Sequence, residues 1–473
     1  MTPDIFAAHA HRLIDLIAEY RRTLSSRPVM ATTRPGAVKA LLTAQAPAAP
    51  EPFAQVLEDV ERIILPHLSH WQHPKFFAYF PSNAALASVL GDFLSTGLGV
   101  LGIAWQTSPA LSELEEVTTD WMRQLLGLSA AWQGVIQDTA STATLVALLC
   151  ARERATDFGL ARGGLQGEAA TLVVYVSTQA HSSVEKAALL AGLGREQIRK
   201  VAVDEALALS PQALAAAIRD DLAAGRKPCA VVVTTGTTAT TAVDPIAPVA
   251  ALCREYGLWL HVDAAMGGSA QLLPECRWMW EGIEGADSVV VNPHKWLGAV
   301  FDCSLYYLRD PQHLQRVLST NPSYLQTAAD GQVRNYRDWG IPLGRRFRAL
   351  KLWFLLRLEG VEALKARLRR DLANAQWLAG EVRAAADWKV VAPVPLQTVC
   401  VRHEPPGLSG AALDRHTLGW ADRLNRSGEA WVTPATIDGK WMIRVSIGAL
   451  LTEREHLAAL WEAMQKEAAC PDA

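Results

Sequence analysis

The sequence has no paired-cysteine framework. Its seven cysteines, Cys150, Cys229, Cys253, Cys276, Cys303, Cys400 and Cys470, are odd in number, widely spaced and never in a C-x-x-C arrangement, a usage that fits a reducing cytoplasm. No apolar run approaches the roughly 20 residues of a membrane span, so no membrane partner is expected. The opening stretch, MTPDIFAAHAHRLIDLIAEYRR, lacks a basic n-region, a continuous apolar run and a small-residue cleavage site, and does not read as a signal peptide. An excess of positive charge is also missing. Lysine plus arginine is 45 against 48 for aspartate plus glutamate, a formal net charge of −3 without a basic block to grip a phosphate backbone, which argues against nucleic acid. There is no internal repeat and no low-complexity tract beyond alanine richness.

What is present is a chain of 473 residues, 50% hydrophobic and 20% charged, long enough for two or three globular domains of about 100–200 residues each. Thr2 and Pro3 suit the cap and first turn of an amphipathic helix on which Phe6, Leu13, Leu16, Ile17 and Tyr20 recur at helical spacing. That face must dock on the body of the chain or on a second subunit. A Pro/Ala stretch over 46–52 breaks the pattern and reads as a linker. Short β-branched or apolar runs at 172–177, 230–235, 258–263 and 288–292 then alternate with helical segments such as 211–224 and 245–256, which predicts an α/β fold with a mostly parallel sheet. In such sheets ligands gather beyond the carboxyl ends of the strands, and polar residues follow each of these runs. A long helical stretch over 348–383, two apolar runs (390–401 and 441–447) and a last helix predict a small α+β domain at the C-terminus.

Two of the strand ends carry chemistry. Ser288-Val-Val-Val-Asn292-Pro-His294-Lys295-Trp delivers a lysine from an apolar strand. A solvated turn lysine is the bland alternative, but Pro293 and Trp296 desolvate this one, and desolvation favours the neutral amine that Schiff-base chemistry needs. Leu258-Trp-Leu-His-Val-Asp263-Ala-Ala265 ends in a carboxylate that is either a helix cap or the partner of a cation. Pyridoxal phosphate acts as an electron sink only while its pyridinium stays protonated, so a buried aspartate beside a lysine fits that cofactor. Asp138-Thr139-Ala140-Ser141-Thr142 opens an apolar helical run, and free N–H groups with hydroxyls at a helix start suit a dianion, though simple capping is the alternative. Three other patterns carry less. Gly97-Leu-Gly99-Val-Leu-Gly102 matches a dinucleotide fingerprint but follows a helix-like segment instead of a strand. His67, His70 and His73 do not share a face well enough for a metal, and Cys303 lacks a basic partner, so no metal and no thiol nucleophile are expected.

Beyond these spacings, long stretches resemble the pyridoxal-phosphate-dependent aromatic L-amino-acid decarboxylases, the group II decarboxylase family, in a form like bacterial DOPA/tryptophan decarboxylases. They include His70-Trp71-Gln-His-Pro-Lys-Phe-Phe-Ala-Tyr79-Phe80-Pro81, Ser108-Pro-Ala-Leu-Ser-Glu-Leu-Glu115, Gln179-Ala-His181-Ser, His261-Val-Asp263-Ala-Ala, Asn292-Pro-His-Lys295-Trp, Asn321-Pro-Ser-Tyr324-Leu and Ile341-Pro-Leu-Gly344-Arg-Arg-Phe-Arg348. The resemblance implies a fold-type-I, PLP-dependent-transferase-like architecture. It places an N-terminal helical dimerisation segment at 1–83, a large cofactor-binding α/β domain at 84–350 and the small α+β domain at 351–473. It further implies that Lys295 holds pyridoxal 5'-phosphate covalently, Asp263 holds its ring nitrogen, His181 stacks on the ring, Thr238 lies near its phenolic oxygen and Ala265 packs beneath it. Thr139, Ala140 and Ser141 would hold the phosphate, with Asn292 and His294 nearby.

Tyr324, on a loop continued by the mostly polar stretch 326–337, would protonate the α-carbon. Related aldehyde synthases resemble these enzymes but carry phenylalanine there, so Tyr324 favours the amine-forming branch. Trp71, Tyr79, Phe80, Pro81, Ser82 and Gly344, with Leu101 and Ile103 from the partner of a homodimer, would contact an aromatic substrate: DOPA, tryptophan, tyrosine or phenylalanine. From spacing alone the aromatics read equally well as core. The expected reaction is decarboxylation to an arylalkylamine and CO2. Aldehyde synthesis or transamination on the same scaffold is the nearest alternative, and a cofactor-binding sensor is the alternative from another class.

Overall fold

The computed structural model describes residues 1–320 and 323–470, and the side chain of Tyr324 also lies outside the described set. Its larger sheet contains β1 (Gln133–Gln137), β2 (Leu172–Ser177), β3 (Ile198–Val201), β4 (Lys227–Thr234), β5 (Trp259–Asp263), β6 (Ser288–Val291) and β7 (Ser304–Leu308), in the order β1-β7-β6-β5-β4-β2-β3. Every pairing is parallel except those of β7, which runs against both of its neighbours. The four apolar runs read from the sequence are β2, β4, β5 and β6, contiguous in the sheet. Val173, Val174, Val231, Val232, Val262 and Val290 are all fully buried, because strands covered on both faces need continuous apolar runs.

Among the described residues the helices of nine residues or more are α1 (Pro3–Arg22), α2 (Leu86–Leu98), α3 (Pro109–Leu125), α4 (Ala140–Ala155), α5 (Ser182–Leu190), α6 (Pro211–Ala223), α7 (Ile246–Tyr256), α8 (Ala349–Glu359), α9 (Val361–Ala384), α10 (Gly410–Ser427) and α11 (Arg454–Ala469). The long helix expected over 348–383 is thus two. Gly360 sits at φ 77° between α8 and α9, a left-handed conformation that glycine adopts at little cost and that ends the first helix. None of the described helices is long and apolar enough to cross a membrane.

The chain forms two compact units. One comprises Ser82–Gln376 with Ala392–Val399, and the other Met1–Pro81 with Trp377–Val391 and Cys400–Ala473. In the larger unit α4 packs on the sheet through Ala143, Val146, Ala147 and Cys150, which share a buried cluster with Val174, Val232 and Val290. Each valine there withdrawn from water contributes about 1.5–3 kcal/mol, and each alanine less, before entropy is charged against it. A second sheet, ordered β10-β11-β9-β8, is formed by β8 (Trp388–Val390), β9 (Thr398–His403), β10 (Thr433–Ile437) and β11 (Lys440–Ser446), all in the smaller unit but for Thr398 and Val399. Trp388 meets Trp420 of α10 and Trp461 of α11 at ring separations of 5.6 and 4.9 Å. Helix α1 buries none of its residues: of the apolar face foreseen there, Leu16 and Tyr20 are half-buried while Phe6, Leu13 and Ile17, with Ile5 and Ile14 beside them, stay exposed to solvent among the described residues.

Candidate active site

The parallel strands β1, β2, β4, β5 and β6 all point their carboxyl ends to one edge of the sheet, and the loops leaving that edge carry every residue expected to hold the cofactor. Asp263 closes β5, in register with Thr234 of β4 and Val290 of β6. It is buried at 5% exposure, and Oδ1 accepts from the N–H of Ala265 at 3.1 Å. No ion pair among the described residues reaches it. A carboxylate withdrawn from water without a cation is costly unless a ligand supplies the charge.

Beyond β6 the chain turns at Asn292. The N–H of Asn292 donates to the carbonyl of Ala265 at 3.2 Å, which ties the aspartate loop to the lysine loop. Pro293–Leu297 then form a single wide turn closed by Gly298, and Lys295 is half-buried within it. Asn292 Oδ1 accepts from Ser304 Oγ at 2.6 Å, and His294 Nδ1 accepts from the N–H of Cys303 at 2.9 Å. That bond leaves the neutral imidazole its proton on Nε2. Burial, with the neighbouring Lys295 charge, lowers the pKa of His294 to about 4, so neutral is its form at pH 7. Cys303 is fully buried and its thiol is pushed up to about 12, which makes it a poor nucleophile.

His181 caps α5, with Nδ1 2.7 Å from Ser183 Oγ and accepting from the N–H of Ser183 at 3.2 Å. Although its side chain remains exposed, partial burial lowers its pKa, opposed by Asp263 and reinforced by Lys295. Both charges are therefore near enough to act on this ring. At the start of α4, Thr139 is the cap and its hydroxyl accepts from the N–H of Thr142 at 3.4 Å. The N–H groups of Ala140 and Ser141 have no intrahelical acceptor, as at any helix start, and they aim the positive end of a 16-residue helix outward. Thr238 is half-buried in the loop after β4, and Ala265 is buried directly after Asp263.

The residues expected to contact substrate divide between the units. Trp71, Tyr79, Phe80 and Pro81 belong to the smaller one, where Trp71 stacks on Tyr79 at 5.7 Å and Tyr79 meets Trp431 edge-on at 5.6 Å. Trp71 and Tyr79 are exposed, Phe80 is half-buried and Pro81 is buried. Buried Arg444 lies 4.8 Å from the centre of the Phe80 ring and donates to the Tyr79 carbonyl at 2.6 Å. Trp431 and Arg444 were not singled out from the sequence, where neither stands in a motif. Ser82, Leu101, Ile103 and Gly344 belong to the larger unit. Leu101 and Gly344 face each other, since a Cβ added at Gly344 would lie 3.2 Å from Leu101 Cδ1. Tyr324 lies in a short turn, Ser323–Leu325, but the position of its hydroxyl is outside the described residues. The remaining patterns found ordinary uses. Gly99 caps the end of α2 at φ 63°, and His67, His70 and His73 bond respectively to the Ile63 carbonyl, the Tyr20 hydroxyl and the Lys75 N–H.

An unpaired buried carboxylate, an amine on the next strand end and an anion-ready helix start make complementary demands: a cationic ring nitrogen, a carbonyl and a phosphate. Pyridoxal phosphate carries all three, and the fold and site together define a fold-type-I pyridoxal-phosphate enzyme. The conserved domain of the pyridoxal-dependent decarboxylases matches residues 35–404. The chain is 40% identical to the phenylacetaldehyde synthase of Arabidopsis thaliana, across 97% of this chain and 95% of that protein. It is 38% identical to tryptophan decarboxylase 2 of Oryza sativa subsp. japonica, across 97% and 93%. The crystal structure of Oryza sativa TDC with PLP and tryptamine superimposes with a TM-score of 0.96 at 34% identity, covering 99% of this chain and 98% of that one. This chain belongs to the pyridoxal-dependent decarboxylase family, and the resemblance read from its sequence is borne out.

Proposed function

We infer that the protein is a pyridoxal-phosphate-dependent carboxy-lyase that converts aromatic L-amino acids to arylalkylamines and CO2. The observation that carries this reading is Asp263, buried at a strand end without a cationic partner among the described residues, one strand from Lys295. Tryptophan, tyrosine and aromatic-L-amino-acid decarboxylases among the relatives support the substrate class.

Bound pyridoxal phosphate supplies an electron sink for the pair left behind when CO2 departs. We assign Lys295 as the covalent anchor and Asp263 as the carboxylate that keeps the ring nitrogen protonated. His181 is assigned to stack on the ring, with Thr238 beside its oxygen and Ala265 beneath it. The N–H groups and hydroxyls of Thr139, Ala140 and Ser141, with Asn292 and the neutral Nε2–H of His294, are assigned to the phosphate. Trp71, Tyr79, Phe80, Pro81, Ser82, Leu101, Ile103 and Gly344 are assigned to the substrate, and Tyr324 to proton delivery at its α-carbon. We further propose a homodimer: Leu86, Leu90, Phe93, Leu94 and Leu98 of α2 and the apolar face of α1 are exposed in the single chain. Free cysteine thiols suit the cytoplasm as its compartment.

The second reading is aldehyde synthesis, favoured by the 40% identity to a phenylacetaldehyde synthase. Measuring CO2, amine and aldehyde from tryptophan, DOPA, tyrosine, phenylalanine and glutamate separates the two. CO2 matched by amine from an aromatic substrate is expected, aldehyde with oxygen uptake would transfer the protein to the other branch, and turnover of glutamate alone would overturn the substrate class. Lys295→Ala should abolish the lysine-bound cofactor absorbance; an unchanged spectrum would refute its role as anchor.

A further inference from the structure

The turn that carries Lys295 is gripped from outside by side chains that no part of the assigned chemistry uses. Asn83 Nδ2 donates to the carbonyl of Lys295 at 3.0 Å. Arg367 donates to the carbonyl of Leu297, and its Nη1 is held by Glu359 at 2.9 Å. Between those carbonyls, the indole of Trp296 is completely buried and gives its single N–H to Asp371 Oδ2 at 2.9 Å. Arg367 and Asp371 are one helical turn apart on α9, so the same face of one helix holds two consecutive residues of the lysine turn.

Asp371 itself is fully buried, with Arg370 beside it at 3.4 Å. A carboxylate in mid-helix is out of place as a cap or a solvated charge, and its position makes sense through what it accepts. The indole N–H is a donor only, and a buried donor left without an acceptor costs the full desolvation of that group. The indole therefore keeps its orientation because Asp371 is there.

We propose that Asp371 is a positioning residue for the reaction, acting through Trp296 to fix the turn from which Lys295 reaches the cofactor. This rests on the assignment of Lys295 as the anchor. Burial pushes the Asp371 carboxyl up to about 7, opposed by Arg370, so near neutrality the side chain is needed as an acceptor oxygen more than as a charge. An amide retains that oxygen; a leucine does not.

The test compares the holoenzyme forms of wild type, Asp371→Leu, Asp371→Asn, Trp296→Phe and Trp296→Phe/Asp371→Leu. Borohydride reduction followed by peptide mass analysis reports the fraction of Lys295 carrying cofactor, and steady-state kinetics separate kcat from KM. Asp371→Leu should slow trapping at Lys295 and lower kcat about tenfold, equivalent to about 1.4 kcal/mol, with KM within about twofold. Asp371→Asn should restore both, and Asp371→Leu should add nothing in the Trp296→Phe background. Wild-type trapping and kcat in Asp371→Leu, equal damage in Asp371→Asn, or an undiminished effect without the indole would each overturn the proposal. If Asp371→Leu does not fold, Trp296→Phe must by itself reproduce the slowed trapping; normal trapping there refutes the relay. Absence of trapped Lys295 in the wild type, by contrast, would remove the anchor assignment and this inference with it.

Discussion

Glu115 and Arg345 form an ion pair that lies almost wholly out of solvent, at 0% and 4% exposure. Glu115 Oε1 also accepts from the N–H of Ile136 at 2.8 Å, and Arg345 donates to the Ile136 carbonyl at 3.0 Å, so the pair is stitched to β1. The backbone carbonyl of Arg345 receives the N–H of Gly102 at 2.9 Å, between Leu101 and Ile103. Glu115→Met would leave a guanidinium buried without its counter-charge. Removing one member of such a pair costs about 3–5 kcal/mol, whereas replacing both by apolar side chains is often neutral, because the desolvation of two charges is relieved together. Urea unfolding of Glu115→Met, Arg345→Met and the double variant should therefore show two heavy single losses and a double variant more stable than either. Since Glu115 Oε2 and Arg345 Nε have no hydrogen-bond partner among the described residues, the native pair does not recover all its desolvation, which favours recovery in the double variant. A single loss below about 1 kcal/mol, the scale of a screened surface pair, or additive losses in the double variant would refute the reasoning.

Gly91 lies where α2 crosses α8, and an added Cβ would stand 2.6 Å from the Leu350 carbonyl; Gly91→Ala should cost about 1–3 kcal/mol by thermal denaturation, and a neutral result would mean the helices separate freely. Burial lowers the pKa values of His73, His261 and His294 from the ordinary 6.5 to about 4. Each favours the native state fully above 6.5, and that contribution is lost as pH falls from 6.5 toward 4, because the unfolded chain takes up the protons first. Stability measured across that window should fall with acid, and His261→Gln should flatten the slope by about one proton; an unchanged slope would show that His261 is protonated in place. Tyr324→Phe should keep CO2 release while amine gives way to aldehyde with oxygen uptake, and amine as sole product would assign the proton to another group.

Much of the candidate site is legible in the sequence because its residues sit at strand ends, where an apolar run stops and a polar residue begins: Asp263, Lys295 and Asn292 announce themselves this way. The strands that were not foreseen explain themselves in the same terms. β1 reads Gln-Gly-Val-Ile-Gln and β3 reads Ile-Arg-Lys-Val, edge positions whose polar residues dilute the apolar signal. Nor does local sequence distinguish β7, antiparallel, from its parallel neighbours. The break at Gly360 was hidden inside an otherwise continuous helical pattern. Asp371, Arg345 and Arg444 were illegible for a different reason: each works through a partner distant in sequence, and neither the charged run Arg367-Leu-Arg-Arg-Asp371, the arginine-rich loop of Arg345 nor the apolar strand of Arg444 carries a sign of what the side chain will meet.

The sheet order also has a consequence for biosynthesis. Among the described residues the strand beside β1 is β7, so Gln133 must wait for Leu308 before its backbone can pair in the sheet. Until then a nascent chain emerging from the ribosome presents Ser288-Val-Val-Val291 of β6 as an open apolar edge, the kind of surface that invites association with other chains. Helix α4 follows β1 directly, so the helix start assigned to the phosphate is translated early and seated late. On that assignment cofactor capture would wait for the completion of β7, and a chain stalled before residue 304 would keep exposed the kind of edge that invites association.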